Sequence, residues 1–241
     1  MTLTTILLAA SIVFTGAFVQ TSIGFGLAIV SAPLLFYLNP DYVPIPITIA
    51  TLSNVIFGSW HYRAHLSLRG LLPAVIARLP GSLLGAWLLV AVSVKALALL
   101  IAAVIILGMA VNVIKIRLPV NRYSLAGAGF LSGVMGTATS IGGPPMAILM
   151  QGQQADVIRG NLAAFFLFSS LVSLVVLVPT DYFGWHQLGL ALPLIPASWL
   201  GSLVASRVSH KINESWMTIG TLLLCGFSVA AMLWQYHGTG P

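Results

Sequence analysis

The stretch Thr21-Ser22-Ile23-Gly24-Phe25-Gly26 interrupts an apolar run that otherwise extends from residue 3 to residue 38. Glycine, serine and threonine at such a point permit a tight turn, and the helix that follows begins with N–H groups that lack helical partners. The first four residues recur as Thr139-Ser140-Ile141-Gly142, 118 residues later, where they interrupt a second apolar run. A break repeated in this way predicts two related halves, each of which begins with a broken helix.

Composition indicates that lipid surrounds the chain. Of its 241 residues, 59% are hydrophobic and 6% are charged, and the mean hydropathy is +1.03. A soluble domain has about 25% charged residues, so this chain cannot cover itself with a water-facing surface. Apolar runs recur along its whole length, which excludes a single membrane anchor. The net charge of +6 comes from lysines and arginines scattered over short loops, so we expect no nucleic-acid partner.

Helix-breaking residues and charged residues divide each half into five apolar segments. They cover residues 3–20, 27–38, 43–60, 70–90 and 94–114, then 123–138, a short piece ending at residue 150, 162–178, 187–206 and 215–234. A second set of matches, offset by 120, supports the duplication, because Pro73, Gly81 and Ser82 correspond to Pro193, Gly201 and Ser202. We therefore divide the chain into repeats 1–116 and 117–241, which form one integrated unit. Residues 1–10 lack a basic region, so we expect the first segment to be retained as a helix.

The distribution of basic residues distinguishes inverted from parallel halves, because cytoplasmic loops collect lysine and arginine. If each broken helix is a single crossing, the basic residues divide five against four between the two sides. If each is a hairpin, one side receives only Lys95 and the other receives eight residues: Arg63, Arg69, Lys115, Arg117, Arg122, Arg159, Arg207 and Lys211. We therefore predict an all-α, polytopic membrane fold of two inverted repeats. Each has about five helical segments, and the first two form a broken-helix hairpin.

The hairpin tips are the first candidates for a binding site. Irregular backbone at membrane depth occurs only where protein or a water-filled cavity satisfies its polar groups, and helix N-termini attract anions. In an inverted repeat the two tips meet near the midplane, where transporters commonly bind substrate. The candidates that would donate N–H groups and hydroxyls are Thr21, Ser22, Ile23 and Gly24, with Thr139, Ser140, Ile141, Gly142 and Gly143. Gln20 and Asn54 are further polar candidates. The alternatives are glycines that serve helix packing and an Asn54 that joins helices.

Arg78 is the second candidate, because it lies inside segment 70–90, about 12 Å along the helix axis. An intramembrane arginine costs at least about 2.5 kcal/mol, and no carboxylate lies inside a predicted helix to pair with it. Three arrangements can satisfy the guanidinium. Neighbouring hydroxyls and carbonyls solvate it, a bound anion pairs with it, or the side chain snorkels to the interface.

No cluster of His, Asp, Glu or Cys exists inside the predicted membrane-spanning segments. We therefore expect neither an enzyme nor a metal or cofactor site, and we interpret Cys225 as a small apolar residue.

These motifs resemble those of a known family. Ser22-Ile23-Gly24-Phe25-Gly26 with Pro33 downstream, and Ser140-Ile141-Gly142-Gly143-Pro144-Pro145 followed by Arg159-Gly160-Asn161, resemble the TauE/SafE sulfite exporter family, also called the toluene sulfonate uptake permease family. Phe25 stands where that family usually has glycine. The resemblance spans nearly the whole chain. It implies a transporter that moves sulfite, sulfonates or related organosulfur anions across the cell inner (cytoplasmic) membrane.

There are three alternatives to a transporter of small anions: a channel, an assembly subunit and an enzyme. A channel-like anion facilitator with the same fold is not separated from a transporter by the sequence. A non-transporting membrane assembly subunit is disfavoured by the doubled break, and an enzyme by the missing catalytic groups. Besides the small anionic substrate and the lipid bilayer, a homo-oligomeric partner is left open, as are the direction of transport and the coupling ion.

Overall fold

The structure is a computed structural model that describes residues 2–61, 68–114, 118–208 and 214–238. These residues form helices and contain no strand, which confirms the all-α prediction. Within the described ranges, five helical stretches are long and apolar enough to cross a membrane: Leu3–Ile23, Pro40–Trp60, Gly70–Ala91, Val157–Leu177 and Trp185–Val208. The chain is therefore a multi-pass membrane protein. Of the basic residues assigned to one side of the membrane, Arg63, Lys115, Arg117 and Lys211 lie outside the described residues.

The helices follow the predicted order of segments. In the first half they are α1 (Leu3–Ile23), α2 (Leu27–Leu38), a short 3-10 helix (Pro40–Tyr42), α3 (Ile45–His61), α4 (Leu68–Ala91) and α5 (Val94–Ile114). In the second half they are α6 (Arg122–Thr139), α7 (Gly143–Met150), α8 (Ala155–Leu177), α9 (Trp185–Ala191), α10 (Leu194–Val208) and α11 (Glu214–Gly238).

The first break is shorter than the sequence predicted. Thr21, Ser22 and Ile23 belong to the last turn of α1, and only three residues separate α1 from α2. The hydroxyl of Ser22 donates to the carbonyl of Phe18, four residues back, so a polar side chain is satisfied inside the helix. The chain turns where glycine is needed instead, because Gly24 and Gly26 have φ values of 101° and 133°.

Two boundaries in the second half also differ from the prediction. Residues 151–160 were expected to form a loop, but α8 begins at Ala155, and Arg159 therefore lies in its second turn. The predicted segment 187–206 is divided into α9 and α10 at Leu192 and Pro193. A proline inside a helix removes a backbone hydrogen bond and clashes with the preceding turn, which explains this division. At the equivalent position in α4, Pro73 is accommodated within one continuous helix.

Both broken helices are hairpins. Ser31 of α2 donates its hydroxyl to the carbonyl of Ile12 in α1, 3.3 Å away, so α2 runs back along α1. In the second half, the Ser132 hydroxyl of α6 donates to the carbonyl of Gly142 at the tip, 2.5 Å away. The two turns, Gly24–Gly26 and Ser140–Gly142, are called the first tip and the second tip below.

Among the described residues, the most extensive helix contact is between α4 and α6, one from each half, and glycines allow the two helices to approach closely. A Cβ added at Gly129 would lie 2.1 Å from the carbonyl oxygen of Ala74, and one added at Gly81 would lie 2.2 Å from that of Phe130. Such close approach is typical of helix pairs in membranes that meet through glycine. It brings the middle of α4, including Arg78, against the middle of α6.

Helices at equivalent positions in the two halves pack on equivalent partners. Helix α6 packs on α4, and its counterpart α1 packs on α10. Helix α2 packs on α11, and its counterpart α7 packs on α5. The counterparts α3 and α8 pack on each other at the centre of the molecule. The two tips therefore converge on the α3–α8 pair from both halves.

Candidate functional site

A cavity lies between the two tips and helices α3, α4 and α8. We call it the central cavity. Its polar wall comes from both halves and consists of Gln20, Thr48, Thr51, Arg78, Ser140, Ser169, Ser170 and Ser173. Its apolar wall includes Phe25 at the first tip and Phe166 on α8. A cationic group, hydroxyls and two aromatic rings thus line one common space.

Arg78 is buried, with 2% of its surface exposed, although it carries a charged guanidinium. Removing such a group from water is costly. Its Nη1 donates to the Ser132 hydroxyl at 2.8 Å, and its Nη2 donates to the Ser173 hydroxyl at 3.1 Å. A longer bond of 3.4 Å runs from Nη2 to the carbonyl of Ser169. The guanidinium also lies 5.6 Å from the centre of the Phe165 ring, a distance at which a cation is attracted to the ring face.

The charge of Arg78 has no counter-ion among the described residues. Every hydrogen-bond acceptor that it contacts there is a neutral hydroxyl or carbonyl, and its Nε has no partner within the described part of the chain. The carboxylate of Asp41 lies elsewhere, 3.3 Å from His186, in a pair whose side chains are more than half exposed. A buried cation that is solvated only by neutral groups strongly attracts an anion, because the surroundings screen the interaction poorly.

Two glycines provide the room in which the guanidinium lies. A Cβ added at Gly136 would lie 2.8 Å from Nη2 of Arg78, and one added at Gly142 would lie 3.3 Å from Nη1. Gly142 also belongs to the second tip, and its carbonyl accepts from the same Ser132 hydroxyl that Arg78 contacts. The position of the guanidinium and the position of the second tip are therefore linked through Ser132.

The second tip is held against α3 by Ser140. This residue has a φ of 65°, a left-handed conformation that is uncommon for serine. Its hydroxyl donates to the carbonyl of Pro44 at 2.8 Å and forms a second hydrogen bond with Thr48 at 3.1 Å. One turn along α3, the buried hydroxyl of Thr51 has no partner among the described residues, although it lines the same cavity.

The two tips touch each other beside the cavity. A Cβ added at Gly143, the first residue of α7, would lie 3.4 Å from Cδ2 of Phe25 at the first tip. The two helices that start at the tips are capped differently. The N–H of Leu27 in α2 donates to the side-chain oxygen of Gln20, whereas α7 begins without a side-chain cap and has prolines in its first turn. Among the described residues, the start of α7 therefore lacks a side-chain acceptor like the one that Gln20 supplies to the first N–H of α2.

The predicted site residues fall into four groups. Gln20, Arg78, Ser140, Ile141, Gly142 and Gly143 line the central cavity. Thr21, Gly24 and Asn54 line a smaller cavity next to Arg159. Ile23 lines a third, apolar cavity. The hydroxyls of Ser22 and Thr139 donate to carbonyls in their own helices, those of Phe18 and Met135.

Thr21 and Asn54 are engaged in contacts between helices. The Thr21 hydroxyl donates to the Ser202 hydroxyl at 3.1 Å, and the Asn54 amide donates to the same oxygen at 2.7 Å. Ser202 in turn donates to the carbonyl of Ser198 in α10. This network joins α1, α3 and α10.

Several residues of the cavity and its surroundings were not identified from the sequence. Ser132 and Ser173 hold Arg78, Thr48 and Phe166 line the cavity, and Arg159 donates to the carbonyl of Ser22 at 2.6 Å. The spacing of Phe166, Ser169 and Ser173 on α8 gives a weak signal, since residues three and four apart share a helix face. Nothing in the sequence indicates that this face meets Arg78.

The comparisons with known proteins agree with this architecture. No curated protein and no solved structure gives a significant match. The chain does match the family described as Sulfite exporter TauE/SafE over residues 8–232, which is nearly its entire length. We therefore conclude that this membrane protein belongs to the TauE/SafE family of transporters of sulfur anions.

Proposed function

We propose that the chain is a secondary transporter which binds a small anion, sulfite, a sulfonate or a related organosulfur anion, in the central cavity between the two tips. The observation that carries this proposal is the burial of Arg78 in the cavity wall with only neutral partners. An anion there would gain the attraction of the guanidinium, and it would receive hydrogen bonds from the hydroxyl of Thr51. The uncapped start of α7 adds a favourable helix dipole.

The site lies near the middle of the bilayer in this proposal. Arg78 is ten residues from Leu68 and thirteen from Ala91 at the ends of α4, or about 15 and 20 Å at ~1.5 Å per residue. Transporters with discontinuous helices commonly bind substrate at this depth, where half-helix ends face each other. Movement of one hairpin relative to the α3–α8 pair would expose the cavity to each side in turn.

We propose further that the two halves are inverted in the membrane, within repeats 1–116 and 117–241. The support comes from α3 and α8, which run antiparallel. Gly58, near the end of α3, lies against Ala163, near the start of α8. Thr48 and Thr51, nearer the start of α3, line the central cavity with Ser173 from the last turns of α8. Equivalent helices run antiparallel when a two-fold axis lies in the membrane plane, and parallel when it lies along the membrane normal.

The proposal is tested by uptake into liposomes that contain the purified protein. We expect uptake of sulfite, thiosulfate or an organic sulfonate that exceeds uptake of a carboxylate such as acetate, and we expect Arg78→Ala to abolish it. Arg122→Ala is the matched control, because Arg122 lies at the exposed start of α6. Unchanged uptake by the Arg78 variant would remove Arg78 from the site. Failure of the wild type to take up any of these anions would refute the transporter proposal.

The second candidate function, a channel-like facilitator in the inner membrane, is distinguished by the same liposomes. Unlabelled substrate on the inside accelerates uptake of labelled substrate by an alternating-access transporter, because the loaded protein returns faster than the empty one. A channel shows no such acceleration. We expect acceleration here, because in the proposed transport cycle the movement of one hairpin exposes the cavity to each side in turn.

A further inference from the structure

The central cavity has an apolar neighbour. A second cavity lies between α2, α5 and α11, and we call it the apolar chamber. Its wall includes Ile23, Met109, Leu222 and Cys225. It shares three wall residues with the central cavity: Phe25, Gly26 and Ile29. One thin layer of residues therefore separates a cavity with a cation from a cavity without any charge.

Phe25 supplies most of the side-chain bulk in this layer. Gly26 has no side chain, and Ile29 lies on the first turn of α2. The Phe25 ring packs against Gly143 at the second tip, and it contacts both hydrophobic clusters of the protein. Because its neighbours Gly24 and Gly26 hold the backbone outside any helix, the side chain lies between the two tips rather than on a helix face.

We propose that Phe25 is a specificity-determining residue, which limits the substrate to compact anions by closing the central cavity from the apolar chamber. This inference rests on the proposed function of the central cavity. With the phenyl ring in place, an anion bound at Arg78 meets an aromatic wall, and an attached aryl or long alkyl group has no space. Without the ring, the two cavities join into one site with a cation at one end and an apolar pocket at the other. That combination fits an arylsulfonate.

The test compares uptake of sulfite and p-toluenesulfonate into liposomes, by wild type and by Phe25→Ala. We expect the wild type to prefer sulfite, and we expect the ratio of p-toluenesulfonate to sulfite uptake to rise about tenfold or more in the variant. A change of this size is what the removal of a steric block in an apolar pocket produces. Ile29→Ala thins the same wall, so it should shift the ratio in the same direction by less.

Met109→Ala is the matched control. It enlarges the apolar chamber but leaves the wall with the central cavity intact, because Met109 lines only the chamber. We expect its uptake ratio to equal that of the wild type. A rise in this control as large as that of Phe25→Ala would overturn the proposal, since the wall would then not be the barrier.

The remaining outcomes separate this inference from the proposed function. If the wild type takes up sulfite and neither Phe25→Ala nor Ile29→Ala changes the ratio, Phe25 does not set specificity, and the proposed function stands. If the wild type takes up p-toluenesulfonate as readily as sulfite, the inference is likewise overturned. Uptake of neither anion would refute the proposed function itself. If Phe25→Ala fails to fold, Ile29→Ala and Phe25→Leu decide the question.

Discussion

At the residue scale, Gly136 and Gly142 flank the Arg78 guanidinium. The importance of Arg78 was predictable, and its surroundings were not. The sequence predicted that Arg78 is unusual, because a charge so far inside an apolar segment is costly without a partner. It did not predict the partners, since Ser132 and Ser173 belong to two helices of the other half. Only the packing of α4 on α6 and α8 brings these hydroxyls to the guanidinium.

The first prediction concerns Gly136→Ala. The added methyl group would lie 2.8 Å from Nη2 of Arg78, so the flexible end of the arginine must move away from its present position. We expect about a tenfold weaker affinity for sulfite, equivalent to ~1.4 kcal/mol. The measurement is equilibrium binding to the purified protein, with thermal unfolding as the check on folding. An unaltered affinity would mean that the position of the guanidinium does not matter.

At the scale of helices, the existence of each break was predictable and its extent was not. The repeated Thr-Ser-Ile-Gly motif identified both turns, but hydroxyl residues are compatible with a helix as well as with a turn. In the first half the serine donates to a carbonyl one turn back and α1 continues to Ile23. In the second half Thr139 ends α6, and Ser140 itself adopts the positive φ. Identical motifs therefore end their helices differently, because their surroundings differ.

The contact between α4 and α6 gives the second prediction, on the substitution Gly129→Ala. Its added Cβ would lie 2.1 Å from a backbone oxygen of α4, and backbone cannot move aside as a flexible side chain can. We expect a loss of about 1–3 kcal/mol in stability from this overpacking, seen as a lower midpoint of thermal unfolding in detergent. Gly127→Ala on the same helix is the control, because nothing lies within 4 Å of a Cβ added there. Equal midpoints for the two variants would contradict the close packing of α4 on α6.

At the scale of the whole molecule, composition predicted the all-helical, multi-pass character of the protein, and the inverted halves stay a prediction. Few charged residues and recurring apolar runs predicted the multi-pass helical protein, and the short motifs indicated the family that the match over residues 8–232 shows. The contact between Phe25 and Gly143 could not be predicted from the sequence. The two residues are distant along the chain, and the helices that precede the two tips differ in length.

The inverted arrangement has its own prediction. Single cysteines introduced in segments 61–69 and 151–160, in a Cys225→Ser background, should react with a membrane-impermeant maleimide from the cytoplasmic side in both cases. The reason is that inversion, with five segments in each half, leads both segments to the same face. Labelling of the two segments from opposite faces would contradict the inverted halves. Cys225 is the single cysteine of the chain, so its replacement by serine leaves the introduced cysteine as the only thiol that the maleimide can label.

The central claim is that a small sulfur anion binds at Arg78 between the two tips. Equilibrium binding of sulfite to the purified protein tests it most directly, with wild type and Arg78→Ala compared under identical conditions and thermal unfolding confirming that both are folded. Removal of one partner of a buried charge pair costs about 2–5 kcal/mol. We therefore predict saturable binding by the wild type and an affinity about 30-fold or more weaker in the variant. Equal affinities of the two proteins would contradict the claim.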